Sequence, residues 1–316
     1  MQFPFKLIEN KEFDAAGFGT NAVDYLIRVP EYPSFNSKIE LTDYVQAAGG
    51  EVATTMAGLT RLGMKTSYIG RFGSDAEGDL GWKTLADEGV DLTFAERIEG
   101  ARTQIAFIVI DTRNGERTVI WQRDARLAYA EDEAPAGAAS LARVLHFTPH
   151  DARACLRLAR AAKKAGAVVS IDIDNLFEGV DELLHEVDIL ITSAEFPQKL
   201  LGIEDKKDAL RSLTARYGCS VAGITLGAEG SLLLCEDSFI ETGGFAVPGG
   251  CMDTTGAGDA YRVGLIYGLL KGESIEESAR MANGVAALKC RAIGARTSLP
   301  DAGTLNSLLE GSSPEY

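Results

Sequence analysis

The chain has 316 residues, 46% of them apolar and 24% charged, which suits a globular protein with a sizeable core and excludes wholesale disorder. A formal net charge of −15 argues against a nucleic-acid or anionic-membrane partner. Five cysteines, odd in number, far apart and without a C-x-x-C pair, read as reduced thiols, and only three histidines occur, none at zinc-ligand spacing. The charged N-terminus and the lack of a long apolar run fit a cytoplasmic protein.

In chain order, "FDAAGFG" (13–19) reads as a strand ending in a turn. Asp24 follows it, where a ligand crevice opens at the carboxyl ends of strands. Residues 25–46 read as strands with turns. "EVATTMAGLTRLG" (51–63) places Val52, Met56, Leu59 and Leu62 at helical spacing, with Gly49-Gly50 ahead of it. "KTSYIGRFG" returns as a strand and "DAEGDLGWKTLADEG" as a helix. Residues 103–122 read as a hairpin around Asn114-Gly115. The two helix-free segments would form a small separate sheet over a ligand site, and 128–139 reads as a loose loop.

From "RVLHFTP" to "DILITS" strands and helices alternate quickly. That rhythm predicts an α/β fold, a mostly parallel sheet flanked by helices. His146 and His150 straddle a strand end and read as core or loop positions rather than catalytic ones. Arg117 and Arg123 read as an exposed strand face, with an anionic group on a substrate as the alternative.

The densest stretch is "CMDTTGAGDAYRVG" (251–264). Gly256, Ala257 and Gly258 precede a helix with an apolar stripe, and Gly272 ends it. Backbone N–H groups of small residues at a helix start attract an anion. A carboxylate there would repel phosphate, but it can accept the proton of an attacking hydroxyl. The turn therefore encodes a phosphoryl-transfer site with Asp259 as general base. An ordinary helix capped by Thr255 or Asp259 is the competing reading. Gly49-Gly50 and Asp24 would approach a polyhydroxyl ligand. As a solvated turn carboxylate and a plain turn, they have an ordinary reading too.

Taken together, "GG-x-x-A-x-x-x-A-x-x-x-x-LG" (49–63), "ITLGAEGSLL" (224–233), "DTTGAGDAYRVGLIYGLLKG" (253–272) and "AALKCRAIGARTSLP" (286–300) resemble the ribokinase-like (PfkB-type) carbohydrate kinases over nearly the whole length. The resemblance implies one kinase domain over 1–316, with a β-sheet lid from insertions at about 25–46 and 103–122. It implies ATP-dependent phosphorylation, with Mg²⁺, of a hydroxymethyl group on a sugar, a ketose or keto-sugar acid being favoured. By position, Asp259 would be the catalytic base and Gly256, Ala257 and Gly258 the anion hole. Asp24, Gly49, Gly50 and Thr54 would meet the sugar. Thr225, Gly227, Gly230 and Asn283 would meet ATP. Asp253 and Thr255 match a monovalent-cation (K⁺) site of many members. Tyr261 and Arg262 stand where relatives vary.

Two departures stand out. Thr54 replaces a common Asn, keeping a hydroxyl and losing an amide. The Asn-x-x-Glu motif tied to magnesium is matched only by Ser193-Ala194-Glu195-Phe196. Glu195 would serve the metal through water, while Ser193 reads equally as a helix cap. A nucleoside kinase of the same fold and a non-catalytic sugar-binding regulatory module are the alternatives. The lid's open edges suggest a homodimer.

Overall fold

The computed structural model describes residues 1–311. Strand β1 (Phe13–Phe18) is followed by β2 (Ala22–Val29), β3 (Asp43–Gly49), helix α1 (Glu51–Arg61), β4 (Thr66–Ile69), β5 (Arg71–Gly73) and α2 (Ala76–Asp87). Strands β6 (Glu96–Ile98), β7 (Ile105–Asp111) and β8 (Arg117–Gln122) come next. Then the chain alternates through α3 (Ala136–Ala139), β9 (Ala142–Phe147), α4 (Ala152–Lys164), β10 (Val168–Ile173), α5 (Val180–Leu184) and β11 (Ile189–Thr192). Helices α6 (Phe196–Leu201) and α7 (Lys206–Tyr217) lead to β12 (Val221–Thr225), β13 (Ser231–Cys235) and β14 (Ser238–Thr242). Helices α8 (Ala257–Lys271), α9 (Ile275–Lys289) and α10 (Ala302–Leu309) follow.

Among the described residues these strands gather into sheets of eight, four and two. The large sheet runs β14-β13-β12-β11-β10-β9-β1-β4. It is parallel from β12 to β4 and antiparallel where β13 and β14 turn back. Its inner strands are buried on both faces, which is why β1, β9, β10 and β11 read as apolar runs. One face packs on α1, α8 and α9, the other on α4, α5 and α7. No helix among the described residues is long and apolar enough to cross a membrane.

The two helix-free segments do form a separate sheet, in the order β3-β2-β7-β8. Its bounds differ from the expected ones: pairing begins at Ala22 and extends to Gly49, with residues 30–42 between the strands. The loop expected at 128–139 is present up to α3 at Ala136, with residues 130–133 exposed, but it is not loose throughout. Tyr129, Ala134, Ala138 and Ala139 are buried, and the Tyr129 ring meets Phe18 edge-on at 5.1 Å. Tyr129 and the small residues after Glu133 anchor its two ends on the core, while the acidic middle faces outward. Helix α8 also departs from expectation. It has no single apolar stripe, because every residue from Ala260 to Leu270 is buried. A helix apolar all round lies inside the core.

Candidate active site

A cavity of about 740 Å³ opens at the carboxyl ends of the parallel strands. Thr148 and His150 follow β9, Asp174 follows β10, Ser193 follows β11 and Thr225 ends β12, and all line it. Ligands of open α/β sheets bind at this edge. The four-stranded sheet forms the facing wall. Successive side chains of a strand alternate faces, so Arg117, Val119 and Trp121 of β8 point inward together.

The start of α8 reaches the middle of the cavity. Gly256 caps the helix in the left-handed region (φ 77°), and a Cβ there would stand 2.8 Å from that of Ala295. Only glycine allows both the turn and that approach. Ala257, Gly258 and Asp259 make the first turn and line the cavity with Gly256. A helix start leaves its leading N–H groups without intrahelical partners, although that of Ala257 donates to Thr254 O (3.1 Å).

Asp259 faces a dense set of charges. Burial, then the Asp172 and Glu51 carboxylates, push its pKa well above the usual range, while Arg262 and Arg117 pull it down. Burial raises Asp172 to about 7 against the opposing pull of Arg262, and burial together with Asp174 raises Glu51 to about 7. Arg262 is itself buried. It pairs closely with Asp172 and donates to Gly258 O (3.0 Å) and Ile191 O (3.3 Å). It therefore fixes the carbonyl side of the helix start and supplies the counter-charge for the carboxylates.

On the other side, Asp24 is buried on β2, and burial raises it to about 6 with Arg296 opposing. Its carboxylate lies over the Gly49 backbone: a Cβ on Gly49 would fall 1.9 Å from Asp24 Oδ2. Asp24 and Gly50 line the cavity. Thr54 does not: it is buried in α1, its hydroxyl without a partner. At the opposite end Thr225, Gly227, Gly230 and Asn283 line the cavity beside Gly244, Phe245 and Ala286. The Asn283 amide donates to Ser231 Oγ and Thr242 O, both at 3.2 Å.

Several expectations need correction. Glu195 is exposed at the start of α6 and stands outside the cavity wall, whereas Ser193 lines it with a buried, unpartnered hydroxyl. The residue offset in Ser193-Ala194-Glu195 turned the carboxylate outward. Among the described residues no three Asp, Glu, His or Cys gather to hold a metal unaided. Magnesium takes hard oxygen ligands and keeps several waters. Asp172, Asp174 and Glu51 line the same cavity, where magnesium would be held chiefly by nucleotide phosphates and water. Asp253 and Thr255 do not offer an open cation site, because the Lys289 ammonium already stands there, 2.7 Å from Asp253 O.

Arg117 is not on an outward strand face. Its guanidinium donates to Thr254 Oγ1 (2.9 Å) at the cavity. Arg123 is paired with both oxygens of Asp151, at 2.9 and 2.7 Å. His150 lines the cavity between the Trp121 and Phe177 rings, at 5.9 and 5.1 Å. His146 is a core residue as expected, beside Ser170 Oγ at 3.2 Å. The sequence reading also missed Thr20, Thr148 and Gln104, cavity residues with buried, unpartnered polar atoms. For Thr20 and Thr148 the position past a strand end was the available signal; Gln104 instead precedes β7.

This arrangement defines a class, the α/β kinases whose helix start and carboxylate share one cleft with a small covering sheet. The chain belongs to the pfkB family of carbohydrate kinases, whose profile matches residues 18–302. It is 27% identical over 301 residues to a nucleoside kinase of Methanothermobacter thermautotrophicus, covering 93% of this chain and 94% of that one. In fold it is similar to Arabidopsis thaliana ribokinase complexed with ribose and ATP (TM-score 0.80, 24% identity, 94% of this chain and 99% of that one). It is also similar to adenosine kinase from Sinorhizobium meliloti (TM-score 0.82, 24% identity, 95% and 100%).

Proposed function

We propose that this protein transfers the γ-phosphoryl group of ATP to a hydroxymethyl group of a sugar unit, with Asp259 as general base. The observation that carries the reading is Asp259 in the first turn of α8, in one cavity with Asp24 on one side and Thr225, Gly227, Gly230 and Asn283 on the other. Asp24 accepts hydroxyls of the sugar and orients it. Asp259 takes the proton of the attacking hydroxyl as its oxygen bonds to phosphorus, and ADP leaves. The helix start at Gly256 to Gly258 stabilises the charge on the transferred group. Arg262 and Arg117 keep Asp259 able to ionise among its acidic neighbours. Magnesium, bound with the phosphates, neutralises their charge.

The acceptor has two readings, each with its own support. Of a ketose and a keto-sugar acid, the acid is favoured by Arg117, a cation at the cavity that suits a carboxylate. A nucleoside is favoured by Trp121, His150 and Phe177, three rings at one end of the cavity on which a base would pack. The outer face of the small sheet carries exposed Tyr44, Phe107 and Ile120, with Tyr25 stacked on Phe107 at 5.2 Å. That apolar face supports a homodimer through the lid.

Asp259→Asn tests the central claim. The variant keeps size and much of the hydrogen bonding and loses the proton acceptor. General-base catalysis contributes about 10²–10⁴ in rate, so kcat falls by that order while ATP still binds. If Asp259 only caps its helix, kcat stays normal and stability drops by about 1 kcal/mol. Measuring kcat and the unfolding midpoint together separates the two.

A further inference from the structure

Lys289, the last residue of α9, is fully buried. Its ammonium donates to the backbone carbonyl of Asp253 (2.7 Å) and lies 3.7 Å from Asp253 Oδ2. Asp253 is fully buried as well. Its carboxylate accepts the N–H of Thr255 (Oδ1, 2.8 Å) and that of Gly294 (Oδ2, 2.8 Å). The Lys289 carbonyl in turn accepts Ser298 Oγ, and the Cys290 carbonyl accepts Met252 N–H (2.9 Å).

These contacts converge on the start of α8. Asp253 and Thr255 lead directly into Gly256, and Gly294 leads into Ala295, which packs on Gly256. One positive charge thus ties two loops together, and their junction fixes the turn next to Asp259. A buried cation needs a partner of opposite sign and filled hydrogen-bonding geometry. Lys289 has both a carbonyl and a carboxylate. These are the ligand types a bare monovalent cation would take from Asp253. A side chain that ends among them supplies the positive charge that a free ion would bring to these groups.

We propose that Lys289 is a tethered cation that takes the place of a monovalent ion at Asp253 and Thr255. It acts as a positioning residue, holding the helix start in place without K⁺. The activity half of the inference rests on the kinase reading, and the stability half does not.

The test compares wild type and Lys289→Met in tetramethylammonium, Na⁺, K⁺ and NH₄⁺ chlorides at matched ionic strength. Thermal midpoints are read without substrate, and ATP turnover with an accepted sugar or nucleoside. Wild type shows the same midpoint and turnover in all four salts. Lys289→Met, with the cavity of the lost ammonium open, binds K⁺: its midpoint rises by about 5 °C at about a hundred times the Kd. Its turnover falls about a hundredfold in tetramethylammonium, as a misplaced helix start implies, and recovers in K⁺ or NH₄⁺. Folding of the variant only when K⁺ or NH₄⁺ is present also supports the proposal. Stimulation of wild type by K⁺ overturns it. So does a variant that matches wild type without K⁺, or one that stays impaired or unfolded in every salt. Absence of turnover in wild type with every acceptor refutes the kinase reading instead and leaves the midpoint comparison intact.

Discussion

Gly49→Ala isolates the contact between the acceptor and Asp24. An added Cβ at Gly49 would lie 1.9 Å from Asp24 Oδ2 and 2.6 Å from its Cγ. Carbon atoms settle at about 3.5–4.0 Å, so the carboxylate must retreat by about 1 Å. The backbone cannot give way instead. Gly49 is paired with Ala22 in the sheet, and its carbonyl is held by the buried Arg296 guanidinium. Overpacking of this size costs about 1–3 kcal/mol in stability. A displacement of about 1 Å in a positioning group can cost about 10²-fold in rate. We therefore expect kcat/KM for the acceptor to fall by about that factor, with the KM for ATP nearly unchanged. Gly137→Ala, where nothing stands within 4 Å, serves as control. Steady-state kinetics in both substrates, with a thermal melt of each variant, reads the result. An acceptor kcat/KM equal to wild type in a folded Gly49→Ala protein would refute a role for Asp24 in holding the acceptor.

Trp121→Ala weakens a nucleoside acceptor by about 1–3 kcal/mol in a competition assay if a base packs on that ring, and leaves a ketose untouched. Turnover stops when a chelator removes magnesium, because the charge of the phosphates then goes largely unneutralised, and persistence of turnover would count against the metal. The raised carboxylates make a pH prediction. Asp172 is near 7 when folded and near 4 when unfolded, so the folded state holds its proton longer. The resulting stability is present below about pH 4 and is lost as pH rises through about 7. Asp172→Asn removes that slope: its unfolding midpoint relative to wild type moves upward between about pH 5 and pH 8. The comparison also cancels the opposite slope from buried His146, whose pKa falls to about 3. A constant difference across the range would refute the assignment.

The strands of the large sheet were legible because burial on both faces demands unbroken apolar runs. The turn at Gly256 was legible because few sequences need two glycines and an acid at a helix start. What escaped the sequence depends on contacts between distant segments. Arg117 faces the cavity from β8, whereas Arg123 stands just past the end of that strand and is drawn to Asp151, 28 residues away in sequence. His150 meets Trp121 and Phe177 from separate elements, so no local spacing announces it. Lys289 ends a helix, where a lysine ordinarily reads as a solvated residue favourable to the helix dipole. Its burial follows from Asp253, 36 residues earlier. Glu195 failed for the converse reason: a plausible local motif, displaced by one residue, faced solvent.

Because α8 is enclosed by core residues from Ala260 to Leu270, the first turn that it carries into the cavity is held from behind and cannot travel toward a ligand. The chemical end of the cleft is an anchored datum, and adjustment to different acceptors falls to the opposite wall. That wall is the strand β8, whose residues are all exposed, tied near Asp259 through Gly115 and Arg117 to Thr254. Substitutions on β8 can reshape the acceptor end without disturbing the core. Such a division lets a lineage exchange one acceptor for another while inheriting its phosphoryl chemistry intact, and it marks β8 as the place to begin when redesigning what this protein accepts.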